Sequence, residues 1–219
     1  MALVGKLVRL KRMSHEDYEH LAEWCSDRSG TYSSGSTDFV SGAELQDFAR
    51  RSGHVYLAVV THDGQHVGVV DYARVTYPGN YEIGVNIGDP EQWGAGYGAD
   101  ALGLLLRHLF HSKNAHRVQG VVGLYNKRSI QLVCTRGFIV EGLLRDYLFF
   151  DGRYHDGVAI SMLRDDYYAM CSTTTGPVLE DTVPSEERVA ARHAMERLLS
   201  GDTGHHLRAF LNRSEALGG

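Results

Sequence analysis

Three glycines at alternate positions in Trp93-Gly94-Ala95-Gly96-Tyr97-Gly98 carry the clearest chemical signal in the chain. They follow the alternating segment Glu82-Ile83-Gly84-Val85-Asn86-Ile87 and lead into Ala99-Asp100-Ala101-Leu102-Gly103-Leu104-Leu105-Leu106, a helical pattern. A glycine-rich turn lets the backbone approach a ligand and turn its N–H groups outward. The helix behind it adds about half a unit of positive charge. Strand, turn and helix N-terminus together suit a pyrophosphate. Asp71, within Val69-Val70-Asp71-Tyr72, is a carboxylate in an apolar run that needs a partner or a bound amine. An outward-facing strand position is the plainer expectation for it. Cys134 lies one helical turn beyond Ile130 and reads as a core thiol rather than a nucleophile. The twelve histidines form no metal set: His108 and His111 are three apart on a helix, His205 and His206 adjacent, and solvated faces explain both.

Period and capping define the elements that must position these groups. Residues 7–10 read as a strand. Ser14 caps a helix with Asp17 at the box position, and Leu21 with Trp24 or Cys25 forms its inner face. Residues 27–37, small and hydroxyl-rich, are expected to form a mobile loop. A second helix starts near Ser41 with Glu44 in the box, Leu45 and Phe48 inward, and Gly53 at its end. The period then changes. Residues 54–61 and 65–77 flank an Asp63-Gly64 hairpin turn, and Pro78-Gly79-Asn80 leads into a strand over 81–88. A helix over 98–113 places Leu102, Leu105, Leu106 and Leu109 on one side. A strand over 116–122, a helix over 126–136 stopped by Gly137, and a long hairpin turning at Asp151-Gly152 complete the pattern. This order describes an α+β fold over about residues 5–163, with a mostly antiparallel mixed sheet and one parallel central pair.

Trp93-Gly94-Ala95-Gly96-Tyr97-Gly98, then Asn126-Lys127-Arg128-Ser129, then Gly137-Phe138-Ile139-Val140-Glu141-Gly142 resemble, in order and spacing, the three landmarks of the GNAT N-acetyltransferases. More narrowly they are similar to the branch of ribosomal-protein N-terminal and small-amine acetyltransferases; the hairpin from Asp151 to Asp156 also fits. The resemblance implies a twisted sheet whose parallel pair splays, flanked by helices, with acetyl-CoA between the splayed strands. It places the cofactor's pyrophosphate on N–H groups of Gly94, Ala95, Gly96, Tyr97, Gly98 and Ala99. It pairs the pantetheine with backbone groups of Val85 and Ile87, like an added strand. Trp93 stands where the wider family has Gln or Arg, which removes one polar contact to the cofactor. Asn126 is expected both to cap its helix and to meet the pantetheine arm.

Acyl transfer to an amine needs a base for the ammonium proton, a donor for the oxyanion and a proton or hydrogen bond for the leaving thiolate. General base help alone is worth about 10² to 10⁴ in rate. Glu82, on the strand beside the thioester, is the first candidate base, acting directly or through water, and Asp71 is the alternative. Ser129 fits the leaving-group role, and a backbone N–H near Val85 the oxyanion. Tyr125 and Tyr147 are secondary acids. Arg145, Asp146, Arg153 and His155 could line an acceptor groove, with Tyr32, Ser33 and Ser34 opposite.

The 219 residues carry a formal net charge of −5, which argues against a nucleic-acid partner. No segment approaches the roughly twenty apolar residues of a membrane span, and no leader run opens the chain. Cys25, Cys134 and Cys171 read as free thiols of a cytoplasmic protein. Residues 1–165 are expected to form the acetyltransferase domain and 166–219 a C-terminal helical extension that is no independent domain. Ser185 starts one helix of the extension and Leu207, Phe210 and Leu211 mark another. Homodimerisation is one use for it. The expected activity is direct transfer of an acetyl group from acetyl-CoA, without a metal, to a primary amine in a ternary complex. The acceptor is a peptide or protein N-terminus or a small-molecule amine. The alternative is a CoA-binding interaction module without transferase activity.

Overall fold

The computed structural model describes residues 3–173 and 181–199. The chain divides into two compact units, residues 1–177 and 178–219. The first contains an eight-stranded sheet ordered β1-β2-β3-β4-β5-β6-β8-β7. Its strands are β1 (Leu3–Val4), β2 (Val8–Arg12), β3 (Val55–Thr61), β4 (His66–Arg74), β5 (Asn80–Ile87), β6 (Arg117–Gly123), β7 (Ile139–Phe150) and β8 (Arg153–Leu163). Every neighbouring pair is antiparallel except β5 and β6. This is the expected mixed α+β architecture.

Helices cover both faces. On one lie α1 (His15–Ser26) and α3 (Gly42–Ser52), with α2 (Arg28–Ser34) between them in the chain. Both expected capping boxes are formed, Ser14 with Asp17 and Ser41 with Glu44. Met13, Tyr18, Leu21 and Ala49 bury there against Ala58, Val60 and Val69, with Trp24 and Leu45 at the edge. Phe48, expected inward, is exposed; Ala49 takes the buried position and Phe48 lies against His54 instead, with ring centroids 5.2 Å apart. The other face carries α4 (Tyr97–Arg107), whose Leu102, Leu105 and Leu106 are at most 1% exposed. Val8, Leu10, Val59, Val67 and Val70 supply the buried apolar surface of β2, β3 and β4.

Three local expectations change. Residues 27–37 hold α2: the Asp27 side chain accepts from the Arg28 N–H and Gly35 closes the helix in the left-handed region. Cap and stop outweigh the low helix propensity of Gly, Thr and Ser. The helix expected over 98–113 ends at Arg107 and continues as a π-helical turn, His108–Ser112. There Phe110 is fully buried and stacks on Tyr167 at 4.7 Å. The two histidines are packed rather than solvated: His108 meets the Tyr72 ring and the His111 Nδ1 lies 3.1 Å from the Tyr168 hydroxyl. Burial holds the His108 pKa below its usual range. Tyr167 and Tyr168 belong to α6 (Arg164–Cys171).

In the second unit, α7 (Ser185–Leu199) begins where Ser185 predicts, and Arg188 pairs with Asp181 at 2.9 Å. The helix expected around Leu207, Phe210 and Leu211 lies outside the described residues. Among the described residues no helix is long and apolar enough to cross a membrane.

The sheet's far edge is clamped by Glu141 of β7. Its carboxylate accepts from the Arg117 guanidinium at 2.7 and 2.5 Å and from the Ser161 hydroxyl at 2.6 Å, tying β7 to β6 across β8. Those donors hold its pKa at about 2, against about 4.3 in an unfolded chain. A carboxylate whose folded pKa is depressed stabilises fully above its unfolded value, and loses that contribution as pH falls through the folded one. Glu141→Gln should therefore cost about 0.5–1 kcal/mol at pH 6, as half-exposed pairs do. The gap from the wild type should shrink between about pH 4 and pH 2. Urea unfolding at pH 6 and pH 2.5 reads both values.

Candidate active site

The centre of the sheet is interrupted. β5 and β6 pair only at Asn80–Arg117, Tyr81–Val118 and Glu82–Gln119. β5 nevertheless runs on beside β4 to Ile87, and β6 beside β8 to Gly123. Their C-terminal halves part into a wedge. The orientation of the β5 main chain follows from two bonds to the β4 side. The Gly88 N–H donates to the Val67 carbonyl and the Val75 N–H to the Asn80 carbonyl, each at 3.0 Å. In an antiparallel ladder this alternation continues, so even-numbered β5 residues face β4. Val85 and Ile87 have the other parity, and their N–H and C=O groups point into the wedge.

At the end of β5, Asp89 caps a 3₁₀ turn, Pro90–Gln92, and the chain enters the glycine turn. Gly94 and Gly96 both have φ +92°, a region open to glycine, and Gly96 is the N-cap of α4. The Ala95 N–H is spent inside the turn on the Gln92 carbonyl at 3.3 Å, and the first helical bond runs from Asp100 back to Gly96. Tyr97, Gly98 and Ala99 thus supply first-turn N–H groups without a helical acceptor. The Asp100 carboxylate accepts from the N–H groups of Leu7 and Val8 at 2.7 and 3.0 Å, fastening this helix start to β2.

Trp93 has a role that the sequence does not announce. Its indole N–H donates to the Ile87 carbonyl at 2.7 Å, latching the turn to the last residue of β5. Its ring stacks on Tyr32 of α2 at 5.5 Å, and the Arg128 guanidinium lies 5.2 Å from its centroid. The Ile87 carbonyl, expected to meet a ligand, is therefore occupied; Val85 keeps both its groups in the wedge.

A cleft of about 620 Å³ runs from the glycine turn into this wedge. Val85, Ile87, Trp93, Gly94, Gly96, Tyr97, Gly98, Ala99, Asn126 and Ser129 all line it; Ala95 does not. The helix α5 (Lys127–Thr135) forms the opposite wall. Asn126 is buried and caps it, its Oδ1 accepting from the Ser129 N–H at 3.1 Å. Arg128, Gln131, Leu132 and Thr135 also line the cleft. Their i, i+3, i+4, i+7 spacing is one helix face, so projecting α5 from Arg128 would have found them. Tyr32 and Ser33 close the cleft from α2.

The carboxylates lie elsewhere. Side chains alternate along β5, so Glu82 and Gly84 face away from Val85, toward the side that carries α1 and α3. Glu82 is exposed and outside the cleft lining. Asp71, directly opposite Gly84, shares its face and is a quarter exposed. Asp146 and His155 line a second, polar cavity of about 440 Å³ with Tyr125 and Asp156; Arg145 and Arg153 do not. Burial raises the Tyr125 hydroxyl's pKa, with Tyr32 adding to it, and Tyr147 is exposed. Cys134, expected in the core, is exposed because Val133 takes the inward position of α5, and it lies outside the cleft lining. Among the described residues no group of three or more His, Cys, Asp or Glu side chains could hold a metal ion.

Residues 8–139 match the model of the acetyltransferase (GNAT) domain. The chain belongs to the GNAT acetyltransferase family. It is 28% identical over 174 residues to the uncharacterised N-acetyltransferase p20 of Bacillus licheniformis, covering 75% of this chain and 97% of that one. It is likewise 28% identical over 127 residues to the ribosomal protein uS5 alanine N-acetyltransferase of Escherichia coli, covering 56% and 64%. The fold is that of the spermidine N-acetyltransferase from Vibrio cholerae, solved with CoA and spermine. That match has a TM-score of 0.67 at 21% identity and covers 74% of this chain and 98% of that one. Acetyl transfer to an amine is thus this family member's activity, and nothing favours the non-transferring module.

The Trp93 latch is directly measurable. Trp93→Phe keeps a ring against Tyr32 and removes the donor to Ile87, so stability should fall by about 1 kcal/mol. For a chain of this size that lowers Tm by about 2–4 °C; an unchanged melting curve would remove the latch.

Proposed function

We propose that the chain binds acetyl-CoA in the 620 Å³ cleft and moves its acetyl group directly to a primary amine in a ternary complex. The observation that carries this reading is the Val85 main chain aimed into a wedge that begins at a helix N-terminus. Acetyl-CoA supplies the thioester. The first-turn N–H groups of Tyr97, Gly98 and Ala99, with Gly94 and Gly96 cleared for close approach, suit its diphosphate. Arg128, on the facing wall, adds a full positive charge to theirs. Val85 pairs with the pantetheine amides as a neighbouring strand would, and its N–H suits the carbonyl oxygen as charge builds there.

Asn126 spends its Oδ1 on the helix cap, which leaves its amide N–H groups for the pantetheine arm. The Ser129 hydroxyl, one helical turn along, is suited to donate to the departing sulfur. The acceptor's ammonium proton passes to Glu82, directly or through water, from the sheet face opposite the glycine turn. As the amine nitrogen bonds to the acetyl carbon, the carbon–sulfur bond breaks; the nitrogen gives up its second proton, which reaches the departing thiolate through the Ser129 hydroxyl.

The acceptor classes that the relatives suggest are a protein N-terminus and a polyamine. The exposed Ile139, Val140, Leu143 and Phe149 on edge strand β7 favour a homodimer. The unpaired thiols Cys25, Cys134 and Cys171 suit a reducing cytoplasm.

Acetyl-CoA at a hundred times its Kd should stabilise the protein by about 2.7 kcal/mol, and ADP without the pantetheine arm should do much less. Gly96→Val, at φ +92°, should abolish that stabilisation; an unchanged shift would refute the placement. Glu82→Gln should lower kcat by about 10²–10⁴, most at low pH where the amine is protonated, while acetyl-CoA still binds. A normal rate would transfer the proton to another group.

A further inference from the structure

One carboxylate joins the glycine turn to the start of the chain. Asp100 lies in the first turn of α4, where an acid ordinarily serves the helix's own free N–H groups. Here it serves others. Its Oδ2 accepts from the Leu7 and Val8 N–H groups at 2.7 and 3.0 Å, where the turn after β1 enters β2. Gly96, the N-cap, has no side chain to offer, so the helix start carries no side-chain cap. The N–H groups of Tyr97, Gly98 and Ala99 are thus left for a ligand, while the nearest acid of the helix is spent elsewhere.

The receiving turn is built around that carboxylate. A Cβ at Gly5 would lie within 2.8 Å of the Asp100 Cγ and both its oxygens, so the carboxylate fills the space that the glycine leaves. Gly5 is not one of the left-handed glycines; its bareness answers to this close approach rather than to its backbone. The turn is also braced from behind. The Gly5 N–H donates to the Val8 carbonyl at 2.8 Å. The His62 Nε2 lies 3.2 Å from the Lys6 carbonyl, and the Arg9 guanidinium donates to the His62 carbonyl at 3.2 Å. Leu7 covers the N-cap as well: its Cδ1 lies 3.0 Å from where a Cβ at Gly96 would stand. The first turn of α4 is therefore fastened to a stiff partner. Like charges repel, so an acid beside a helix start that must hold a second anion is unfavourable as a charge alone. Its use is positional.

We propose that Asp100 is a positioning residue for the cofactor's diphosphate. By tying α4 to the turn at Gly5–Val8 it aims the first-turn N–H groups at the ligand without touching it. The proposal rests on the reading of the cleft as an acetyl-CoA site and assigns what orients the anion-binding end. Repulsion and positioning give opposite signs for one substitution. Removing a mere charge would tighten the cofactor; removing a tether that aims the helix loosens it. The pantetheine end, paired with Val85 on β5, does not depend on the tether.

The test is binding of CoA, by titration calorimetry, and of S-acetylpantetheine, which lacks the diphosphate and nucleotide, by the shift of the Val85 amide. Asp100→Ala leaves a good helix former in place. It should raise the Kd for CoA about three- to thirtyfold, the range for residues that act on a ligand without contacting it. The Kd for S-acetylpantetheine should stay within twofold. Gly5→Ala, which displaces the carboxylate while keeping its charge, should raise the CoA Kd in the same direction. Melting curves come first, and either variant decides alone if the other does not fold. A CoA Kd unchanged or lowered in the folded variant, or two Kd values that rise together, overturns the assignment. A wild-type protein that binds CoA no more tightly than S-acetylpantetheine counts instead against the diphosphate reading, and that result is scored before any variant.

Discussion

Two parallel strands at the centre of the sheet stay together for only three residue pairs, and the cleft of this chain depends on where they separate. Neither strand frays. β4 holds β5 to its end and β8 holds β6, so each keeps its ladder on one side while the other side opens. A backbone edge exposed inside a sheet is normally a liability. Here it is enclosed by residues of α4, α5 and α2, which makes it the wall of a cleft.

The same constraint explains the divided chemistry. Because β5 alternates, its odd residues meet the cleft beside α4 while its even residues look the other way. The cleft lining and the carboxylates therefore lie on opposite faces of one strand, within a few residues of each other. Trp93 joins the glycine turn to the strand by donating to the Ile87 carbonyl, and its ring meets Tyr32 and Arg128. A tryptophan that seemed to forfeit a polar contact is in fact the fastener between turn and sheet.

Much of this was legible in the residues. Both capping boxes, the Asp63-Gly64 and Asp151-Gly152 turns and the leucine stripe of α4 are local signals, and they produced the elements they imply. The cleft lining was legible too, from the glycine turn and from Asn126 to Ser129. What escaped depended on tertiary context. The helix α2 is built from weak helix formers and exists because Asp27 and Gly35 bound it. Phe48 left the core because Ala49 faced it, and Cys134 was displaced by Val133, one position apart in each case. A helical period located to within one residue still leaves the inward side chain undecided. The pairing of Asp71 with His54 joins two strand regions across a sheet register that no local pattern encodes.

The central claim is that the wedge at Val85 and the turn at residues 94–99 form one receptor for the cofactor. Amide ¹H–¹⁵N spectra recorded while CoA is added test it residue by residue. The amides of Val85, Gly94, Gly96, Gly98 and Ala99 should shift together along one binding curve, with Ser129 moving in step and β1 to β3 unaffected. Shifts confined to the second cavity around Tyr125, Asp146 and His155, with the Val85 amide unmoved at saturating CoA, would contradict the account.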